Sequence, residues 1–192
     1  ASNTVIRCGR NGLRNDSCMI VGGDVQIEIV GFVTGIELQG LTFVDAREVS
    51  VNAFGSATAS ARFMDCEWAG CPHGIASILV YNPPNDFLLD NPSKISELDI
   101  TDLVPSDSGS MSVELWNSTF STLESIKYGA IANVGGNITV SSCVFKNINS
   151  KTSIINVIQN GTIELSTSCF AVSSSLLPGT VFIDNTSSLA LN

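Results

Sequence analysis

Three phenylalanines recur at one interval in the C-terminal half of the chain, and this regularity constrains the fold more than any other feature. Phe120, Phe145 and Phe170 are equally spaced, and each follows a segment of the form apolar, polar, apolar. These segments are residues 113–115, 138–140 and 163–165, and the register continues, one residue longer, into 189–191. A period of about 25 residues is typical of a solenoid, in which each repeat buries its apolar face only against its neighbours.

The rest of the chain has the composition of short strands and turns. Runs of β-branched and aromatic residues alternate with clusters of Gly, Asn, Ser and Asp, and no segment of about ten residues keeps a helical period. An immunoglobulin-like sandwich also has closely spaced strands, but it gives no reason for a Phe at constant phase. We therefore predict one all-β domain over residues 1–192, a right-handed single-stranded parallel β-helix with coils of about 20 to 25 residues.

Two interior columns follow from this prediction. The phenylalanines stack from coil to coil, and Leu38, Leu115, Val140 and Leu165 form a parallel aliphatic column. In the N-terminal half, the segment 43–46 (Phe-Val-Asp-Ala) recurs as 63–66 (Phe-Met-Asp-Cys), which indicates two shorter coils of about 20 residues. Because each buried side chain contributes roughly 1.5 to 3 kcal/mol, continuous columns can stabilise strands that would be unstable singly.

Two stretches carry a resemblance to a known superfamily. Residues 35–43 (Gly-Ile-Glu-Leu-Gln-Gly-Leu-Thr-Phe) and 61–68 (Ala-Arg-Phe-Met-Asp-Cys-Glu-Trp) are similar to successive coils of the right-handed parallel β-helix proteins of the pectin-lyase-like superfamily. The likeness covers residues 4–192 and is architectural. That superfamily includes polygalacturonases, pectate lyases, phage tailspikes and non-catalytic surface proteins, so the resemblance implies either polysaccharide chemistry or a surface role.

The candidate catalytic residues are Asp45, Asp65 and His73. The shorter repeat of the N-terminal half predicts that the two carboxylates occupy the same place in neighbouring coils, about 5 Å apart, and glycoside hydrolysis requires such a pair. His73-Gly74 is similar to the His-Gly element of polygalacturonases. The Asn-x-Asp, Asp-Asp and Arg-x-Lys motifs of those enzymes do not occur, and no lyase motif surrounds the nearby basic residues Arg47 and Arg62.

A structural role for both aspartates explains the pattern better. Thr122 and Asn147 follow the inward Phe at the same distance in later coils, which is typical of turn residues that cap backbone amides. We therefore favour no catalytic residue and keep Asp45, Asp65 and His73 as the alternative.

The six cysteines are close together in pairs. The members of two pairs flank short loops, and those of the third lie about one coil apart. Neighbouring parallel strands lie about 4.8 Å apart, within the Cα separation that a disulfide allows. The predicted disulfides are Cys8–Cys18, Cys66–Cys71 and Cys143–Cys169. Buried free thiols are the alternative, and no CxxC pair suggests a metal site.

Charge and modification signals indicate the partners and the compartment. Nine Lys and Arg against eighteen Asp and Glu give a net charge of −9, which argues against nucleic acid and anionic membranes. No apolar run reaches the length of about 18 residues that spans a bilayer. The chain contains five N-glycosylation sequons (Asn-x-Ser or Asn-x-Thr). Together with the six cysteines, they favour an extracellular or cell-surface location. We predict N-glycosylation at the five sequon asparagines Asn15, Asn117, Asn137, Asn160 and Asn185.

Residues 82–108 and the two ends break the regular pattern. The segment 82–108 contains four prolines and an excess of acidic residues, and it predicts a loop excursion from the helix wall. No cofactor or metal is predicted. Calcium at these carboxylates stays open, although no EF-hand spacing supports it. Both ends read as strands without a cap, which indicates either a longer protein or end-to-end stacking.

These observations favour a secreted, N-glycosylated β-helix with a structural or adhesive surface role, whose partners are glycans or further copies of itself in a filament. The alternative is a β-helix that binds or cleaves a polysaccharide as a hydrolase or lyase.

Overall fold

The computed structural model describes residues 3–55, 58–70, 74–81, 99–100, 111–171, 173–175 and 179–192. Every pairing between its strands is parallel, so the prediction of an all-β parallel β-helix is confirmed. Among the described residues the longest helix is one 3-10 turn, Arg14–Asp16, and none of them forms a helix that could cross a membrane.

Each coil contributes three strands. The first three coils contain β1 (Val5–Arg7), β2 (Cys18–Val21), β3 (Val25–Gly31), β4 (Ile36–Gln39), β5 (Leu41–Val44), β6 (Val49–Gly55), β7 (Ser60–Met64), β8 (Glu67–Ala69) and β9 (Ala76–Tyr81). The later coils contain β10 (Ser112–Trp116), β11 (Thr119–Ile126), β12 (Ile131–Val134), β13 (Asn137–Ser141), β14 (Val144–Ser150), β15 (Ile155–Ile158), β16 (Thr162–Ser166), β17 (Cys169–Ala171), β18 (Ser174–Ser175), β19 (Val181–Ile183) and β20 (Ser188–Leu191).

The chain visits three parallel sheets in turn. Sheet A has the order β1-β4-β7-β10-β13-β16-β20, sheet B has β2-β5-β8-β11-β14-β17 with β18 beside β14, and sheet C has β3-β6-β9-β12-β15-β19. Each strand therefore pairs with the strand that lies one coil earlier or later in the sequence. This order places residues one coil apart side by side, so interior columns run along the solenoid.

The aromatic column lies inside sheet B. Phe120, Phe145 and Phe170 pair directly, with ring centroids 4.8 and 4.7 Å apart. This separation equals the spacing of neighbouring strands, so each ring stacks on the next as the strands themselves do. Trp68 and Phe43 extend the stack toward the N-terminus, with centroids 4.7 Å from Trp68 to Phe120 and 5.2 Å from Phe43 to Trp68.

The shorter repeat predicted for the N-terminal half is wrong. Phe43 lies in sheet B and pairs with Trp68, whereas Phe63 lies in sheet A. Phe63 pairs with Leu38 and Leu115 and so belongs to the aliphatic column. The interval from Phe43 to Trp68 equals the interval between successive phenylalanines of the C-terminal half, so the coil between β5 and β8 has the length of the C-terminal coils.

Two ladders of left-handed residues form the corners of sheet B. One corner joins sheet A to sheet B and consists of Gly40, Asp65, Asn117, Ser142 and Thr167. The other follows β2, β5 and β8 and lies within β11 and β14; it consists of Gly22, Asp45, Gly70, Thr122 and Asn147. All ten residues have φ between 46° and 72°. Asn, Asp and Gly tolerate this conformation better than other residues, which explains their frequency at these corners.

The four central strands of sheet C are buried on both faces. Strands β6, β9, β12 and β15 contain no exposed residue, and their outward side chains form a second apolar cluster with Ile100, which is 2% exposed. The hydroxyl of Tyr128 donates a hydrogen bond of 2.8 Å to Asp99. Asp99 and Ile100, from the predicted excursion, thus pack on the outer face of sheet C. The rest of residues 82–108 lies outside the described residues.

One predicted disulfide is present. Cys8 and Cys18 are bonded, with an S–S distance of 2.07 Å and Cα atoms 5.5 Å apart. Cys66 is a free, fully buried thiol, which contradicts the Cys66–Cys71 bond, and Cys71 lies outside the described residues.

The predicted Cys143–Cys169 bond is also wrong, because the spacing exceeds the coil by one position. Cys169 pairs with Val144, and the amide of Cys143 instead donates to Ser168 Oγ. An offset of one position turns a side chain to the opposite face of a strand. Cys143 accordingly points into the core, while Cys169 is exposed, and both thiols are free.

Candidate functional site

The two candidate carboxylates do not form a pair. Asp65 lies at the corner before sheet B and Asp45 at the corner after it, so the width of the sheet, a strand of about five residues, separates them. At about 3.3 Å per residue, the two backbones are about 16 Å apart, whereas glycosidases hold their two carboxyl groups at most about 9.5 Å apart. The prediction that Asp45 and Asp65 are equivalent is therefore wrong. The third candidate, His73, lies outside the described residues.

Asp65 anchors the disulfide-closed loop to the wall of the solenoid. Its carboxylate accepts hydrogen bonds from the backbone amide of Arg14 at 3.0 Å, from Arg14 Nε at 3.2 Å and from Asn117 Nδ2 at 3.3 Å. Arg14 also donates from Nη1 to Thr119 Oγ1 at 2.8 Å. Both oxygens of the carboxylate are thus directed at structural partners, which is consistent with the predicted capping role.

Asp45 has a similar structural position at the other corner. Its amide donates to the carbonyl of Ala69 at 3.2 Å, and its carboxylate lies over Gly70 of the next coil. A Cβ atom added to Gly70 would meet Asp45 Oδ1 at 2.5 Å, so a larger residue there would have to displace that carboxylate.

Replacing Asp65 with Asn is expected to lower the free energy of unfolding by about 1 to 2 kcal/mol, because the charge-assisted hydrogen bonds from Arg14 weaken. Asparagine keeps the left-handed backbone favourable, so the change isolates the charge. Asp45→Asn is the matched control, since Asp45 forms no ion pair within the described ranges. Urea unfolding of both variants measures the difference, and equal losses would contradict the anchoring role.

The outer face of sheet A contains an exposed aromatic side chain that the sequence analysis missed. Trp116 is 55% exposed at the end of β10. The other large apolar side chains that are exposed among the described residues all belong to the first coil or to the last. A signal was present in the sequence, because Leu115 faces inward in the apolar, polar, apolar segment and its successor on the strand must face outward.

The neighbourhood of Trp116 is a shallow cavity of about 280 Å³. Met64, on the adjacent strand, pairs with Trp116, and Gln39 pairs with Met64 one coil earlier. Leu13 contributes from the disulfide-closed loop, and Asp65 and Asn117 line the corner side. Two apolar residues, three residues with side-chain amides (Asn11, Gln39 and Asn117) and one carboxylate therefore surround an exposed indole.

All five sequon asparagines are exposed. Asn137 and Asn117 lie on or beside sheet A, and the other three lie in turns. By contrast, the three asparagines that are buried in the described residues, Asn52, Asn133 and Asn156, belong to no sequon. A glycan cannot be accommodated in a packed interior, so every predicted attachment point is sterically suitable.

Within the described ranges, no cluster of side chains suits metal binding or thiol chemistry. Three or more His, Cys, Asp or Glu side chains do not converge anywhere in this part of the chain. Burial raises the pKa of the Cys66 thiol and of the Cys143 thiol to about 11 each, which keeps both protonated near neutral pH. Apart from Asp99, the acidic residues of the predicted excursion lie outside the described residues.

Comparison of the chain with protein-family models, with curated proteins and with solved structures finds no match.

Proposed function

We propose that this chain is a secreted, N-glycosylated β-helix with a structural or adhesive role at a cell surface, and a non-catalytic member of the pectin-lyase-like superfamily. One observation carries the proposal: each sequon asparagine is exposed, whereas the buried asparagines of the described residues belong to none. The Cys8–Cys18 disulfide supports an oxidising compartment, because such bonds persist mainly in secreted proteins.

The interior supports a structural role. The aromatic and aliphatic columns are continuous, and the Asp65 carboxylate is bonded to Arg14. A hydrolase would need two carboxyl groups within about 9.5 Å, and Asp45 and Asp65 do not satisfy this requirement. We therefore do not propose polysaccharide cleavage. The structural role takes one of two forms. The chain adheres to glycans, or copies of it stack end to end into a filament.

Expression behind a secretory leader in eukaryotic cells is expected to yield a glycoprotein with a native disulfide between Cys8 and Cys18. Intact mass before and after enzymatic deglycosylation measures the sugar, and peptide mapping without reduction locates the disulfide. A secreted, folded protein whose mass equals that of the bare polypeptide would contradict the proposal. Electron microscopy of the same material tests the filament form, which isolated particles at high concentration would exclude.

A further inference from the structure

The cavity beside Trp116 is open to solvent and lies between the disulfide-closed loop and the outer face of sheet A. Its apolar floor consists of the indole and Met64, and the Leu13 side chain, 47% exposed, forms one wall. The indole of Trp116 is 55% exposed, although β10 lies away from the ends of the solenoid. Such a surface suits a ligand with one apolar face and polar edges, and a pyranose ring has this character.

Asn117 places an attachment point for such a ring at the edge of the cavity. It is the asparagine of the sequon Asn-Ser-Thr, it directly follows Trp116, and its side chain lines the same cavity. Its Nδ2 donates one hydrogen bond, to Asp65. The amide nitrogen has two hydrogens. An N-linked sugar replaces one of them, so the hydrogen bond to Asp65 is compatible with glycosylation.

Asp65 restrains the side-chain amide of Asn117. Asn117 Nδ2 donates to the Asp65 carboxylate, and two hydrogen bonds from Arg14 hold that carboxylate at the corner. Asn117 has a φ of 49°, a conformation that favours asparagine over most residues. The backbone conformation of Asn117 and the orientation of its side-chain amide are therefore both restrained.

We propose that the first sugar of an N-linked glycan on Asn117 lies in this cavity, with the apolar face of its ring against Trp116. In the attachment step, Asn117 Nδ2 forms a bond to C1 of a sugar carried on a lipid pyrophosphate. The C1–oxygen bond breaks, and the lipid pyrophosphate leaves with a proton released from the amide. The inference rests on the proposed secretory function. Covalent attachment gives the ring a high effective concentration at the indole, which a free glycan lacks.

A double-variant cycle on the secreted glycoprotein tests the contact. The proteins are the wild type, Asn117→Gln, Trp116→Ser and the combination, each with glycopeptide mass analysis and a thermal melt. The loss of the glycan is expected to lower Tm by about 2 to 4 °C more in the wild-type background than in the Trp116→Ser background. The backbone cost of glutamine at a left-handed position is common to both backgrounds and cancels.

Asn137 provides the matched control. It lies on the same sheet, and its strand neighbours are Ser112 and Thr162 rather than aromatic residues. Asn137→Gln is expected to change Tm equally with and without Trp116. An independent readout is the N-acetyl methyl signal of the first sugar at Asn117, which the indole ring current is expected to shift upfield in the wild type and not in Trp116→Ser.

Three results would overturn the proposal. One is an unmodified Asn117 in a protein whose other sequons are occupied, which leaves the proposed function intact. Another is an equal Tm change in both Trp116 backgrounds. The third is binding of free N-acetylglucosamine oligomers to Asn117→Gln protein that requires Trp116, since the cavity would then serve an external glycan. Secreted protein without sugar at any sequon would instead refute the proposed function itself.

Discussion

Replacing Phe145 with Ala is expected to lower the free energy of unfolding by about 3 to 5 kcal/mol. The side chain is fully buried, and its ring stacks between Phe120 and Phe170 with interplanar angles of 2° and 9°. Removing it leaves a cavity and also interrupts the aromatic stack between β11 and β17. Because a solenoid repeat contacts only its neighbours, the loss is expected to uncouple these two strands.

Urea unfolding followed by circular dichroism measures this loss, and hydrogen exchange of the strand amides reports the uncoupling. Phe32→Ala is the matched control, since Phe32 is 81% exposed and its removal is expected to change stability by less than about 0.5 kcal/mol. A loss below about 1 kcal/mol at Phe145 would show that the aromatic column does not hold the coils together.

The C-terminal half of the column was predictable because its residue type and spacing are both constant. In the N-terminal half the same local pattern, an inward aromatic residue followed two positions later by Asp, occurs at both corners of sheet B. Phe43-Val44-Asp45 precedes one corner and Phe63-Met64-Asp65 precedes the other. A local pattern cannot tell these corners apart, so the sequence predicted a pair of carboxylates that the fold separates.

Spacing also explains which disulfide was predictable. Cys8 and Cys18 close a local loop, so their approach does not depend on the register of the coils. A disulfide between coils forms only in the correct register, because an error of one position turns a side chain to the opposite face of its strand. Arg14 gave no periodic signal, because it reaches Asp65 from a loop that interrupts the first coil, two coils earlier in the sequence.

Stability is expected to fall steeply as pH rises from about 9 to about 11, because of two thiols in the core. Cys66 and Cys143 point inward at the start of sheet B, and each sulfhydryl donates to backbone carbonyls, such as Met64 O at 3.4 Å from Cys66 and Ser141 O at 3.4 Å from Cys143. Burial raises the pKa of each thiol from 9.0 to about 11. The folded chain therefore retains two protons that the unfolded chain releases.

The sign follows from proton binding in the two states. Below about pH 9 both states are protonated and the thiols add no pH dependence. Between about pH 9 and 11 the unfolded state loses protons first, so each pH unit lowers the free energy of unfolding by about 1.4 kcal/mol per thiol, or about 5 kcal/mol in total. Tyr81, whose pKa burial raises from 10.0 to about 12, extends the decline above that range.

Urea unfolding at about pH 8 and at about pH 10.5 measures this dependence under conditions that preserve the disulfide. Cys66→Ala and Cys143→Ala each remove one buried thiol, so each is expected to reduce the slope by about 1.4 kcal/mol per pH unit, whatever the cost of the lost sulfur at the lower pH. A wild-type protein equally stable at both pH values would contradict the buried, protonated thiols, and so would an unchanged slope in the double variant. Because both thiols lie on the wall that carries the aromatic column, alkaline unfolding is expected to begin where Phe145→Ala also weakens the solenoid.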